Sequence, residues 1–139
     1  MKKLILSVLL IPAVFSAQQN VSRDAEIANY VSQVSADSLK SHINKLVSFG
    51  TRHTMSSTTD AKKGIGAARN WVLSKFKNYA KNSDGRMEVF LQSQTIQPDG
   101  KRINQPTDLG NAIAILRGTD PNDKRIFMIG GHLDSRVSD

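Results

Sequence analysis

The chain has 139 residues, 39% of them hydrophobic, no cysteine and a formal charge of +7. That is enough for one compact domain with a real core, and it excludes disulfides and attachment of a lipid through cysteine. The basic excess is spread along the chain, which suits solubility, whereas a nucleic-acid partner would ask for a dense basic patch with interleaved aromatics.

Met1-Lys2-Lys3 is a charged start, Leu4 to Phe15 is almost wholly apolar, and small residues follow at Ser16 and Ala17. This is the pattern of a secretory signal peptide over residues 1–16, with cleavage after Ala17 as the close alternative. The apolar stretch is too short to span a bilayer comfortably. The expected product is exported, periplasmic or extracellular, with no membrane attachment once the leader is removed. Loss of Lys2 and Lys3 leaves 17 basic minus 12 acidic residues, or +5.

Residues 17–37 form an N-terminal extension in which Arg23 to Val34 suits a short helix capped by Ser22. Ala36 to Phe49 predicts a better helix, since Leu39, Ile43, Leu46 and Val47 share one face and Gly50 is placed to stop it. A hydroxyl-rich loop follows, in which Arg52 has five donors suited to holding carbonyls or carboxylates. Thr59 or Asp60 is then expected to cap a long helix running to about Ala80, with Ile65, Ala68, Val72, Phe76 and Tyr79 in a stripe and Trp71 beside it. Gly64-Ile65-Gly66 lacks the third glycine and the preceding strand of a dinucleotide loop, so these read as packing glycines. Lys75 to Lys81 reads as a solvated helix face, and His42 as a surface residue in mid-helix.

Asn82-Ser83-Asp84-Gly85 carries turn chemistry, and the character of the chain then changes. Met87 to Ile96 alternates as a strand does, Pro98-Asp99-Gly100 and Gln105-Pro106-Thr107 mark turns, and Ala112 to Leu116 is a short apolar run. Ile126 to Ile129 is apolar at every position, as in a strand covered on both faces. Helices first and strands second predict an α/β fold in three layers around a central sheet.

The chemistry concentrates at Gly130-Gly131-His132-Leu133-Asp134-Ser135. Residues i and i+2 of an extended segment point to the same side, so Asp134 can accept from one imidazole nitrogen of His132 and leave the other facing outward. Metal-bound histidines are commonly supported this way. The glycines remove side chains beside the site, where neighbouring backbone or a ligand can come close. The position lies beyond the carboxyl end of an expected strand, where open α/β sheets bind ligands. A histidine bonded only to its own loop is the other reading of the same residues.

Four segments together carry a resemblance: "LVSFGTRHT" (Leu46 to Thr54), "GIGAARNWVLSKF" (Gly64 to Phe76), "NAIAILRGTDPNDKRIFMI" (Asn111 to Ile129) and "GGHLDS" (Gly130 to Ser135). In order and spacing they resemble the di-zinc aminopeptidase family, which includes bacterial leucyl-type aminopeptidases and yeast aminopeptidase Y. The resemblance covers roughly Ser38 to Asp139. It implies the first half of a three-layer αβα zinc-peptidase fold with a central mixed sheet and two zinc ions in the complete enzyme. It also implies a zinc ligand at His132, an orienting carboxylate at Asp134, and peptide substrates with a free N-terminus. The family's bridging aspartate, glutamate pair, further carboxylate and last histidine have no counterpart here, and Asp139 follows His132 too closely to be the bridging ligand. Residues 38–139 are therefore expected to be the N-terminal part of a catalytic domain, truncated before the remaining metal ligands and inactive alone. The alternatives are a non-catalytic secreted binding module built on the same fold, or a relative of the glutaminyl cyclases.

Overall fold

A computed structural model describes residues 24–136, so the signal-peptide reading and Ser22 lie outside the described residues. The chain divides into two units, one reaching to Ser35 and one beginning at Ala36. The first holds helix α1, Ala25–Ser32. Its cap is Asp24, whose Oδ1 accepts the amides of Glu26 at 2.8 Å and Ile27 at 3.3 Å. A carboxylate can satisfy two of the donors that every helix start leaves open.

The second unit begins with α2, Ala36–Ser48, and Gly50 ends it at φ +70°, in the left-handed region that glycine tolerates best. Of the expected apolar face only Leu46 reaches the core, while Leu39, Ile43 and Val47 are more than half exposed. His42 is half-buried rather than on the surface. It stands edge-on to Trp71, ring centroids 5.6 Å apart, because an imidazole edge meets an indole face favourably.

Helix α3 runs over Gly64–Ala80. Asp60 does not cap it. That carboxylate closes the turn before it, accepting the amides of Lys62 at 2.7 Å and Lys63 at 3.1 Å. The opening donors of α3 go instead to the hydroxyl-rich loop and to the end of α2. Gly64 N–H donates to the Phe49 carbonyl at 3.0 Å, Ile65 N–H to Ser56 Oγ at 2.9 Å, and Gly66 N–H to the Ser57 carbonyl at 3.0 Å. The loop therefore lies directly on the first turn. A Cβ on Gly64 would sit 2.6 Å from the Ser57 carbonyl oxygen, and one on Gly66 would overlap the Thr58 carbonyl. The two glycines are packing glycines, as the sequence implies.

After the turn at Asp84 and Gly85, both at positive φ, strand β1 covers Met87–Ile96. Strand β2 covers Thr107–Leu116, starting five residues before the apolar run suggests. The two pair antiparallel from Met87 opposite Leu116 to Ile96 opposite Thr107. Backbone pairing extended the strand through polar Asp108 and Asn111, which side-chain pattern alone does not flag. Asp99 orders the connection by accepting the amides of Lys101, Arg102 and Ile103 at 2.8–2.9 Å.

Helix α3 packs against both strands. Gly110 makes room for Arg69, whose Nη1–H donates to the Asp108 carbonyl at 3.1 Å. The core is small: Phe49, Ala67 and Ala68 are buried, with Leu46, Trp71 and Leu133 packed around them. The described residues are thus helices with a small two-stranded antiparallel sheet. Ile126–Ile129 forms no strand in it, and its four side chains are 84–99% exposed. Apolarity encodes a demand for burial, but a strand also needs a neighbour with free backbone groups. No described segment pairs with Ile126–Ile129, although β1 and β2 each keep one edge open.

Candidate metal centre

Gly50 turns the chain out of α2 and sends Thr51-Arg52 alongside Leu133–Ser135, more than eighty residues away in sequence. Two hydrogen bonds through the Arg52 main chain join the segments: Arg52 N–H donates to the Ser135 side-chain Oγ at 2.9 Å, and Ser135 N–H donates to the Arg52 carbonyl at 3.2 Å. The Arg52 side chain adds one more and ties both segments to α2. Its Nε–H donates to the Leu133 carbonyl at 3.0 Å, and its Nη1–H to the Leu46 carbonyl at 2.8 Å. Leu46 lies in the last turn of α2, where carbonyls fall short of helical partners and attract cations; its carbonyl also takes the Phe49 amide at 3.3 Å.

The segment is extended, and its side chains alternate. Leu133 and Ser135 are partly covered, while His132 and Asp134 face outward. His132 Nδ1 lies 3.0 Å from Asp134 Oδ1, with the imidazole side chain 96% exposed and the carboxylate half-exposed. With Nδ1–H donating to the carboxylate, Nε2 keeps its lone pair toward solvent. That is the tautomer a metal-binding histidine needs.

For zinc, the donor set fits in part. One imidazole with its supporting carboxylate is present, whereas a zinc site takes three or four protein ligands. Among the described residues no group of three or more His, Cys, Asp or Glu side chains gathers around a common point. His53 Nδ1 accepts the Met55 amide at 3.2 Å, which spends that nitrogen on the loop's own turn. Gly130 and Gly131 have open space where a Cβ would stand, so no described group makes the close approach that their sequence suggests.

A depression of about 270 Å³, lined by Arg69, Leu91, Ser93, Gln94, Thr95 and Asp108, does not include His132. The Leu133 contact with Phe49, Ala67 and Ala68 and the Ser135 pairing were not read from the sequence. The available signal was the alternation itself, an apolar residue between two polar ones after an extended run.

Neither a family model nor a solved structure matches the chain. Curated relatives do. The chain is 43% identical over 116 residues to a probable zinc metalloprotease of Leptosphaeria maculans, covering 84% of this chain and 26% of that protein. It is 43% identical over 129 residues to a probable zinc metalloprotease of Pyrenophora teres f. teres, covering 92% and 28%. It is 46% identical over 116 residues to another from Phaeosphaeria nodorum, covering 83% and 23%. The chain therefore spans about a quarter of the length of these relatives, and over that quarter it is similar to fungal proteins whose names say zinc metalloprotease and nothing finer.

Proposed function

We propose that this chain supplies the front part of an exported zinc-dependent aminopeptidase, with His132 as a zinc ligand and Asp134 as the carboxylate that orients it. The observation that carries this reading is the His132 Nδ1–Asp134 Oδ1 pair at 3.0 Å with its free nitrogen facing outward. It is supported by relatives named as zinc metalloproteases at 43–46% identity. Bound zinc would supply Lewis acidity and acidify a water molecule for attack on a peptide bond. The chain's own contribution is to present one imidazole in a fixed tautomer. Two zinc ions in the complete enzyme, and peptides with a free N-terminus as substrates, belong to the same proposal. They rest on the resemblance of "GGHLDS" and its companion segments. Export rests on the apolar Leu4–Phe15 stretch behind Lys2 and Lys3.

The three-layer fold enters here as well. We read Ile126–Ile129 as a central strand of a larger mixed sheet, which accounts for four apolar side chains left almost wholly exposed among the described residues. With one ligand histidine gathered, the 139-residue chain is expected not to turn over aminoacyl-p-nitroanilides. Chelator-sensitive hydrolysis by the purified chain would refute that. Zinc titration followed at the imidazole resonances tests the assignment directly. The expected result is a shift at His132 and none at His42 or His53, removed by His132→Ala. One imidazole gives only weak binding, since zinc takes about three protein ligands, so the titration is carried to a large excess of zinc; a His132 that then responds no more than His42 and His53 overturns the zinc reading.

A further inference from the structure

The segment that carries His132 has few anchors, and they converge on one residue. Upstream, Ile126 to Ile129 are almost fully exposed, and Gly130 and Gly131 have open space around them. Restraint begins at Leu133, whose side chain packs against Phe49, Ala67 and Ala68 and whose carbonyl accepts from Arg52 Nε–H at 3.0 Å. Two residues later Ser135 exchanges hydrogen bonds with the Arg52 main chain, at 2.9 and 3.2 Å. The same guanidinium is tied to the Leu46 carbonyl at 2.8 Å, with a longer contact to the Gly50 carbonyl at 3.4 Å.

We infer that Arg52 is the positioning residue of the site: its planar fork locks the His132–Asp134 segment to the end of α2. This rests on the reading of His132 as a zinc ligand. The argument is one of geometry. Fixing the Leu133 carbonyl fixes the peptide plane between Leu133 and Asp134. Fixing Ser135 holds the next turn of the extended chain. Because side chains alternate along such a segment, holding the 133 and 135 side to the core turns the 132 and 134 side outward. Arg52 has donors on separate nitrogens in a rigid plane, so it can hold two carbonyls from different elements at once. A lysine is a single point on a flexible stem and cannot reproduce that fork.

The test uses the full chain, isotopically labelled, as wild type, Arg52→Lys and Arg52→Met. Three quantities are read: backbone order parameters over residues 132–135, the zinc response of the His132 imidazole, and the thermal midpoint followed by Trp71 fluorescence. Both variants are expected to lower the order of Leu133 to Ser135. They are also expected to reduce the zinc response at His132, because the Leu133 carbonyl next to it is no longer held. Lysine should not rescue, although it keeps the charge. An Arg52→Lys chain with wild-type order and wild-type zinc response overturns the inference.

Should the variants fail to fold, the wild type still decides. A scalar coupling across the Arg52 Nε–H to Leu133 carbonyl hydrogen bond supports the inference, and its absence in an ordered chain overturns it. A wild type whose His132 ignores zinc defeats the metal reading alone, since the order parameters continue to report on Arg52.

Discussion

Replacing Gly66 by alanine sets two magnitudes of opposite sign against each other. Gly66 sits inside α3 in an ordinary helical conformation, so helix propensity alone favours alanine by about 1 kcal/mol. Against that, the new methyl would overlap the Thr58 carbonyl, which is backbone and cannot swing aside as a side chain would. Moving the loop would stretch the Gly66 N–H bond to the Ser57 carbonyl and the Ile65 N–H bond to Ser56 Oγ, now 3.0 and 2.9 Å. Those two bonds are worth about 1 kcal/mol each, and overpacking adds about 1–3 kcal/mol. The balance is a loss of about 2–4 kcal/mol, or a fall in thermal midpoint of roughly 8 °C or more for a domain of this size. Circular dichroism at 222 nm during heating reads it. An unchanged or raised midpoint for Gly66→Ala would show that the loop does not rest on α3 as described.

Phe49→Ala removes the largest buried side chain of the small core and should cost about 3 kcal/mol in urea denaturation; a loss below 1 kcal/mol would mean that the Phe49–Trp71 packing contributes little. Asp24→Ala should cost α1 about 1 kcal/mol and speed amide exchange at Glu26 and Ile27, and equal exchange rates would contradict the cap. Gly110→Ala would place a methyl 2.7 Å from Arg69 Nη1 and push the guanidinium off the Asp108 carbonyl, for a loss of about 1–2 kcal/mol that a wild-type urea midpoint would refute. Asp60 and Asp99 are both held below the usual carboxylate range, Asp60 by the amides of Lys62 and Lys63, Asp99 first by the Ile103 amide and then by that of Lys101. A depressed native value means stability that is fully present above the unfolded carboxylate range and is lost as pH falls through the native one. The urea midpoint should therefore drop less steeply as pH falls below the ordinary carboxylate range of about 4 in an Asp60→Asn, Asp99→Asn chain than in wild type, and identical slopes would refute the linkage.

The residues reveal unevenly what the fold does with them. Met87–Ile96 was legible to the residue because Val89, Phe90, Thr95 and Ile96 favour a strand and turn residues bound the run on both sides, although its burial does not alternate. The stop at Gly50 was legible because few other residues take its backbone angles easily. His132 and Asp134 were legible as a pair because a separation of two along extended chain is itself a geometry. Arg52 was legible only as a donor in search of acceptors.

What the sequence left open was decided by contacts across distance. Which carbonyls Arg52 holds, that Leu133 turns into the core, and that Ser56 and Ser57 rather than Asp60 open α3 all depend on which segments meet. His42 became half-buried because Trp71 arrives beside it. Ile126–Ile129 shows the same division from the other side: its composition asks for cover, and nothing along the chain says which surface provides it. Local conformation depends on residues a few positions apart, so sequence alone determined the helix stop, the first strand and the His132–Asp134 pair. Burial and hydrogen-bond partnership are properties of two segments at once, so tertiary structure alone decided where the His132–Asp134 segment is held and by which arginine.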